Sequence, residues 1–362
     1  MKITRLRTAL VQIPFDPPIG LGGAAVLRSA GLVLVFVESD QGVTGEGLVF
    51  TFNGQRLAVL DGMVRSFEPL LTGLDPHHSG AFMTRAWNDL RTYGSTGLPV
   101  LCLAGVECAL WDLRAKLLGV NVSRMLGACR TTIPAYQSSE LWVSLSLDEL
   151  QRSAADQVSA GYRAMKMRLT GDIPQDIARV TAVREAIGPG IKLMADANQK
   201  LTVPQALKLG RLLEEFDLTW FEEPVPAHDH AGEAQIAAAL DTSLASGESV
   251  YTSRGAFEML QQRSCDVLMP DLLRMGGPSE FMKAAALAEA FNIPVSNHTY
   301  PEMSIGLLAA IPNVNFLECM PWVSAVYQQR IELDSEGSAI VPDRTGWGFD
   351  FDPDVIKRYS VP

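Results

Sequence analysis

The sequence has no apolar run long enough to cross a membrane. Its longest run, residues 32–37, covers six residues, whereas a membrane-spanning helix needs about 20. The first seven residues alternate charged with apolar side chains and lack the apolar stretch of a secretory signal. We therefore predict a cytoplasmic protein with no membrane partner.

Positive charge is also scarce. The 362 residues include 30 basic and 41 acidic side chains, which gives a net charge of −11, and no segment concentrates the basic ones. A chain of this charge repels the phosphate backbone of nucleic acids. The sequence therefore predicts no nucleic-acid partner.

Two short signatures are missing as well. The five cysteines form no Cys-x-x-Cys pair, and a chain of this length needs no disulfides to fold, so they are predicted to be reduced core residues. The Gly-Leu-Gly-Gly segment at 20–23 is not followed by the βαβ unit of a dinucleotide site. We interpret it as a mobile loop.

The sequence divides into two regions with different residue patterns. In the first 125 residues, the β-branched run at 31–40 leads into a hairpin signal at 41–45. Helical periodicity follows at 56–71 and 101–118. Strands followed by helices favour an α+β unit.

From about residue 131 the chain alternates short apolar runs with helical stretches. Polar residues end these runs at intervals of 20 to 30 residues, the length of a βα unit. Eight such strands, apolar on both faces, indicate a parallel β/α barrel, and an open doubly wound sheet is the alternative. We predict an entry domain at 1–125, a barrel at 126–325 and a tail at 326–362 that packs on the entry domain. The predicted strands are 133–138, 164–168, 191–198, 218–223, 244–248, 266–271, 293–298 and 314–318.

Catalytic groups of such barrels lie where the strands end. Asp196, Glu222 and Glu248 end three successive strands, so three carboxylates would lie side by side and repel one another without a cation. Oxygen ligands with no neighbouring cysteine or histidine favour Mg²⁺, with Mn²⁺ as a substitute. The alternative is that each acid faces a helix N-terminus at the surface. Glu223 should face away from Glu222 and serve a supporting role.

The other strand ends carry a dyad and two cations. Asp271 and His298 end neighbouring strands, where a carboxylate can fix the tautomer of an imidazole. Lys166 and Arg168 share one face of another strand and place positive charge where an anionic substrate would bind. By the same two-residue alternation, Asn198 should point inward with Asp196.

As a set, these residues resemble the mandelate racemase subgroup of the enolase superfamily. The similarity rests on the acids named above and on several short motifs, and it extends over nearly the whole chain. It implies a (β/α)7β barrel of the TIM type, an α+β capping domain completed by the C-terminal tail, and Mg²⁺-dependent removal of the proton α to a carboxylate. The motifs are Lys-Met-Arg at 166–168, Trp-Phe-Glu-Glu-Pro at 220–224, Gly-Glu-Ser at 247–249 and Phe-Leu-Glu at 316–318.

The resemblance also implies individual roles. Asp196, Glu222 and Glu248 match the metal ligands of the family, Asp271 and His298 its base dyad, Lys166 its first lysine and Glu318 its acid at the substrate carboxylate. Asn198 matches a polar neighbour of the metal, and Ser138 or Ser139 a contact to the carboxylate. Arg168 departs from the pattern, since the family usually has a second lysine base there and arginine hardly releases a proton.

With one evident base, we predict dehydration of a hydroxy or sugar acid through an enediolate. Racemisation or epimerisation of a 2-hydroxy acid is the alternative, followed by a Schiff-base aldolase using Lys166 and a non-catalytic metal-binding protein. Leu21 and Phe52, with Ile19, are apolar residues of the expected substrate-facing loops, which argues against a very polar sugar. The predicted partners are a small carboxylate substrate and further copies of the chain, from dimer to octamer.

Overall fold

The computed structural model describes residues 1–21 and 25–361. The mobile loop predicted at 20–23 therefore lies partly outside the described residues. The chain forms an antiparallel sheet with helices, then a barrel, then a tail.

The N-terminal sheet has three antiparallel strands in sequence order. Its central strand is apolar and buried over residues 30–37, because one face meets the cap helices and the other meets the barrel side. Gly45 and Gly47 let the sheet approach a long helix closely, since a Cβ at either position would overlap that helix's backbone. The strands are β1 (Ile3–Gly20), β2 (Val26–Ser39) and β3 (Thr44–Phe52).

Five α-helices and a short 3-10 helix (Pro76–His78) complete the described residues of this part of the chain. The long α4 is buried along most of its length and packs on β3 and β2. The periodicity at 56–71 corresponds to two consecutive helices, and α4 begins three residues before its predicted start. The helices are α1 (Leu57–Ser66), α2 (Glu68–Leu71), α3 (Ser79–Leu90), α4 (Leu98–Leu118) and α5 (Val122–Met125).

The second part is the predicted barrel, and the parallel β/α class is confirmed. Seven strands form parallel ladders. The remaining position, the seventh in chain order and predicted at 293–298, is filled by single bridges of Val295 to Leu268 and Val314 and of His298 to Asp271. These bridges close the barrel between its sixth and last strands. The barrel strands are β4 (Thr132–Leu141), β5 (Ala164–Arg168), β6 (Lys192–Asp196), β7 (Leu218–Glu222), β8 (Leu244–Ser246), β9 (Val267–Leu268) and β10 (Leu317–Cys319).

A helix follows each of the first seven strand positions, which gives the (β/α)7β order. Ser146 and Glu149 form a capping box at the first of these helices, and Asp172 caps the second. Tyr136, Trp220 and Phe316 fill the barrel interior below the mouth. The helices are α6 (Leu147–Ser159), α7 (Ile173–Ile187), α8 (Val203–Leu213), α9 (His230–Ala237), α10 (Thr252–Gln261), α11 (Pro278–Ala290) and α12 (Pro301–Leu308).

The tail contacts both earlier parts of the chain. Its strand β11 (Ser338–Ile340) pairs with β4 of the barrel, and its helix α13 (Pro353–Tyr359) lies against β1. The Phe351 amide donates to Glu46 of β3 over 2.8 Å. The domain boundaries given above stay a prediction.

Two further expectations concern the cysteines and the membrane-spanning segments. Four cysteines are buried, but Cys129 is exposed, so the prediction of five core cysteines was wrong at that position. In the described part of the chain, no helix combines the length and the apolar character that a membrane span requires.

Candidate active site

The predicted strand-end residues converge at one end of the barrel. Lys166 and Arg168 on β5, Asp196 on β6, Glu222 on β7 and Glu318 on β10 are all buried. Strands β5 and β6 pair in register, so Arg168 lies directly beside Asp196. The two-residue alternation of each strand turns these side chains into the barrel.

Lys166 lies at the centre of the carboxylates. Its Nζ is 2.5 Å from Glu222 Oε1, 2.9 Å from Glu318 Oε1 and 3.9 Å from Asp196 Oδ2. Burial opposes its charge, but the surrounding carboxylates outweigh burial and raise the pKa of Lys166. The ammonium group therefore stays protonated at neutral pH.

Arg168 is fixed in place from two sides. Its Nη1 donates to Asp196 Oδ2 over 2.6 Å, and its guanidinium lies 5.3 Å from the centre of the Trp142 ring. Although burial acts against the charge, Asp196 and its neighbours raise the pKa of Arg168 further. This side chain holds its proton more firmly than a free arginine.

The His298 and Asp271 pair is formed as predicted. His298 Nδ1 lies 2.7 Å from Asp271 Oδ2, which leaves Nε2 facing the site, 3.2 Å from Glu248 Oε2. Burial opposes protonation of the ring, yet Glu248 and the Asp271 hydrogen bond raise the pKa of His298 above its usual value. The imidazole is thus oriented by one carboxylate and faces another.

Glu318 is held by three donors. Its Oε1 accepts from Ser138 Oγ over 2.6 Å and from Lys166, while its Oε2 accepts from the Thr299 amide over 2.6 Å. Burial alone would raise the pKa of Glu318, but the positive charges of Lys166, His298 and Arg168 lower it well below its usual range. Of the two predicted serines, Ser138 is the one that contacts this acid, whereas Ser139 donates to Gln137.

Glu248 is positioned by Arg274, a residue that the sequence analysis missed. Arg274 Nη1 donates to the Glu248 carbonyl over 2.9 Å and to its Oε1 over 3.3 Å. The Arg274 amide also donates to Asp271 Oδ1. The spacing of Asp271 and Arg274, three residues apart just after a strand, was the available signal.

Glu223 does not face away as predicted. Its backbone has a φ of 37°, which ends the strand alternation. Its Oε2 accepts from Gln199 over 2.7 Å, and its Oε1 is buried with no hydrogen-bond partner among the described residues. Burial and then the negative charges of Glu248 and Asp196 raise the pKa of Glu223 well above its usual value. It therefore belongs to the carboxylate cluster.

The three predicted metal ligands are engaged by basic groups in this structure. Across residues 1–21 and 25–361, no three acidic, histidine or cysteine groups come close enough together to hold a metal ion. Glu222 is paired with Lys166, Asp196 with Arg168, and Glu248 with Arg274. The assignment of these acids as metal ligands stays a prediction.

The charge balance nevertheless fits a divalent cation. Three permanent cations and one imidazole face six carboxylates, and one carboxylate oxygen, Glu223 Oε1, has no hydrogen-bond partner within the part of the chain that the structure describes. The basic groups are Lys166, Arg168, Arg274 and His298. An excess of buried negative charge is costly unless a cation neutralises it. The carboxylates are Asp196, Glu222, Glu223, Glu248, Asp271 and Glu318.

The residues predicted to contact substrate lie in different environments. Asn198 follows the end of β6, is exposed, and has a φ of 50°, so its side chain does not continue the inward face of Asp196. Its backbone N–H donates to Asp196 Oδ1. Phe52 is half-buried with its ring centre 4.8 Å from that of Trp322. Leu21 is exposed at the end of β1. Their contact with substrate stays a prediction.

Two other supporting residues escaped the sequence analysis. Trp220 Nε1 donates to Glu222 Oε2 over 2.8 Å, and Thr299 supplies the amide that binds Glu318. Trp220 lies two residues before Glu222 on the same strand face, so its position carried a signal. The Thr299 amide carried no such signal, because every residue type except proline provides a backbone amide.

The chain matches two family descriptions that cover most of its length. Residues 4–127 match the mandelate racemase/muconate lactonizing enzyme N-terminal domain, and residues 149–355 match the enolase C-terminal domain-like family. Among curated relatives, the L-talarate/galactarate dehydratase of Salmonella typhimurium is 30% identical over 356 residues, which span 96% of this chain and 88% of that protein.

Solved structures of the same family are also similar to this chain. The L-talarate dehydratase of a Polaromonas species, complexed with Mg and L-glucarate, is 30% identical with a TM-score of 0.92, covering 100% of this chain and 98% of that one. A Bradyrhizobium enolase complexed with magnesium and mandelic acid is 31% identical with a TM-score of 0.90, covering 100% and 99%. The chain therefore belongs to the mandelate racemase/muconate lactonizing enzyme family of the enolase superfamily.

Proposed function

We propose that this protein is a Mg²⁺-dependent hydro-lyase that removes the proton α to a carboxylate and dehydrates a hydroxy acid. The observation that carries the proposal is the asymmetry of its basic groups. His298, oriented by Asp271, is a titratable base at one side of the mouth, whereas Arg168 is bound to Asp196 and keeps its proton. One titratable base suits an elimination better than an exchange between two faces.

Asp196, Glu222 and Glu248 are the residues that would hold the metal. Mg²⁺ is present in both solved relatives described above, and Mn²⁺ prefers the same oxygen donors. When bound, the divalent ion supplies electrophilic stabilisation of the negative charge that develops on the substrate carboxylate. Lys166 and Arg168, now paired with Glu222 and Asp196, supply further positive charge at the same place.

The side chains of this protein then act in sequence. Lys166 donates to a substrate carboxylate oxygen and stabilises the enediolate without giving up its proton. Ser138 and the Thr299 amide keep Glu318 beside Lys166. Glu318 is ionised as it stands, and an approaching substrate anion would raise its pKa, so that it can donate a hydrogen bond to the carboxylate.

His298 carries the proton. Its Nε2 takes the proton from the α-carbon, and the electron pair of that C–H bond moves into the enediolate. The β carbon–oxygen bond then breaks, and the same imidazole returns the proton to the departing hydroxyl, which leaves as water. Because the substrate also carries a hydroxyl on its α-carbon, the product of this elimination is an enol, which rearranges to a 2-oxo acid, so atoms and charge balance without an oxidant.

The alternatives are less well supported. Racemisation or epimerisation needs a second proton carrier opposite His298, and the raised pKa of Arg168 disfavours that role. A Schiff-base aldolase needs a neutral lysine, whereas the carboxylates raise the pKa of Lys166. A non-catalytic protein would not need the 2.7 Å contact of His298 with Asp271.

The experiment is a product analysis. The purified chain with Mg²⁺ is incubated with monoacid and diacid sugars and with 2-hydroxy acids, and the products are scored for 2-oxo acid and for change of configuration. Formation of a 2-oxo acid supports dehydration. Change of configuration without a 2-oxo acid would instead establish the racemase or epimerase alternative.

We also propose a cytoplasmic location and a homo-oligomer, from dimer to octamer. Both rest on sequence features and on the family resemblance. Light scattering coupled to size-exclusion chromatography measures the oligomer directly, and a monomer at micromolar concentration would contradict it.

A further inference from the structure

A cavity of about 420 Å³ opens between the end of β1 and the first βα connection of the barrel. Residues 14–20 of β1 form one wall. Ser139, Trp142 and residues of the following helix form the opposite wall, and Trp322 closes one end. The cavity therefore lies between the N-terminal sheet and the barrel.

The cavity adjoins the active site through two residues. Ser139 directly follows Ser138, which donates to Glu318. Trp142 lines the cavity and also lies 5.3 Å from the Arg168 guanidinium. A substrate with its carboxylate at Lys166 would reach this cavity with its opposite end.

The charged residues of the cavity wall are all acidic. Asp16, Glu140 and Glu149 line it, and no lysine, arginine or histidine does so among its described lining residues. Arg168, which lies beside Trp142 of the cavity wall, is already paired with Asp196. A second substrate carboxylate would therefore meet like charges here.

The remaining surface is apolar and aromatic. Pro17 and Ile19 face Trp142 and Trp322 across the cavity. The two indole rings stack with an interplanar angle of 15° and centres 6.4 Å apart, and Phe52 packs edge-on against Trp322. Surfaces of this kind bind apolar or flat groups through burial and ring contacts.

We infer that the substrate is a monocarboxylic acid whose end remote from the α-carbon is uncharged and apolar, and that this cavity receives that end. The inference rests on the proposed function only for the position of the carboxylate at Lys166. It separates this chain from the relative that acts on talarate and galactarate, since both of those acids carry two carboxylates.

The test compares three acids that differ at the remote end. Glucarate carries a second carboxylate, gluconate replaces it with a hydroxymethyl group, and 2,3-dihydroxy-3-phenylpropanoate ends in a ring. Their dissociation constants are measured by calorimetry on the intact chain with saturating Mg²⁺. We expect the phenyl acid to bind most tightly and glucarate about tenfold or more weaker than the phenyl acid. Glucarate binding as tightly as either monoacid would overturn the charge argument, and gluconate matching the phenyl acid would overturn the apolar one.

A charge placed in the cavity tests its location. Ile19→Lys should tighten glucarate binding about threefold or more, because it adds a cation among the acidic groups, and should weaken binding of the phenyl acid. Phe257→Lys, on the exposed surface of α10, is the matched control and should change neither. If Ile19→Lys folds normally and leaves both affinities unchanged, the cavity does not bind the remote end.

Binding and chemistry are read separately. Exchange of the α-proton in D₂O, followed on the same three acids, reports on the proposed function. The expected binding order without exchange would refute the proposed function and leave the specificity inference standing. Exchange of the α-proton together with the reverse binding order would support the proposed function and refute the specificity inference.

Discussion

Arg168 and Asp196 are paired residues on adjacent parallel strands, and they are joined by a hydrogen bond of 2.6 Å. The register of β5 and β6 places the guanidinium against the carboxylate, and Trp142 covers its other side. A lysine at this position could lose a proton near neutral pH, but this arginine cannot. The pairing therefore makes the two sides of the mouth chemically unequal.

The first prediction concerns stereochemistry. The wild-type protein should exchange the α-proton of only one enantiomer of a 2-hydroxy acid, with retention of configuration, because His298 serves one face. Chiral chromatography after incubation in D₂O measures this. Arg168→Lys should add slow exchange with inversion, and Arg168→Gln should not. Rapid racemisation by the wild type would contradict the assignment of Arg168.

The second prediction concerns the dyad. Asp271→Asn should lower kcat/KM by about a hundredfold or more, since the imidazole loses the carboxylate that orients and charges it. Steady-state kinetics of 2-oxo acid formation measure the loss. His78→Asn, an exposed histidine near the start of α3, is the control and should retain full activity. An Asp271→Asn variant with wild-type kinetics would remove Asp271 from the mechanism.

The third prediction concerns Arg274. Replacement by Met removes both hydrogen bonds that hold Glu248, and loss of such a supporting partner weakens metal binding by about tenfold or more. Calorimetric titration with Mg²⁺ in the absence of substrate measures the dissociation constant. Arg254→Met, an exposed change on α10, should leave it unaltered. Equal affinities for the two variants would show that Arg274 has no such role.

The fourth prediction concerns the contact of α4 with the barrel. Glu107 on α4 accepts hydrogen bonds from the Ser279 hydroxyl and amide and from Trp111. Burial raises the pKa of Glu107 from 4.5 to about 7. The protonated form is favoured in the folded state, so its contribution to stability is present below pH 4.5 and is lost as pH rises through 7.

The corresponding measurement compares Glu107→Gln with wild type. Because glutamine does not ionise, the free energy of unfolding of the wild type should fall relative to the variant by about 3 kcal/mol between pH 4.5 and 8. Urea unfolding followed by tryptophan fluorescence gives both values at each pH. Glu289→Gln, exposed on α11, should show no such trend. A difference that is constant with pH would mean that Glu107 is not the titrating group.

The strand-end residues were predictable because their spacing is local information. A run of apolar residues that ends in Asp196 or Glu222 locates a barrel strand and its mouth without knowledge of the fold. The seventh strand position was placed correctly for the same reason, although it forms only single bridges near Val295 and His298.

The pairings within the site were not predictable in this way. The carboxylate that Lys166 contacts depends on the strand register and on side-chain lengths across the barrel. Glu223 was misplaced because a positive φ ends the strand one residue earlier than the apolar pattern suggests. Asn198 failed similarly, since β6 stops at Asp196. Strand ends are set by the loops that follow them, and periodicity does not describe loops.

The most direct test of the central claim is α-proton exchange measured by proton NMR in D₂O. The wild-type chain with Mg²⁺ should exchange the α-proton of its substrate and release a 2-oxo acid. Chelation with EDTA should stop both reactions, and added Mg²⁺ should restore them. His298→Asn should abolish the exchange although the variant still binds substrate. Exchange that persists undiminished in His298→Asn, or that continues in EDTA, would contradict the account.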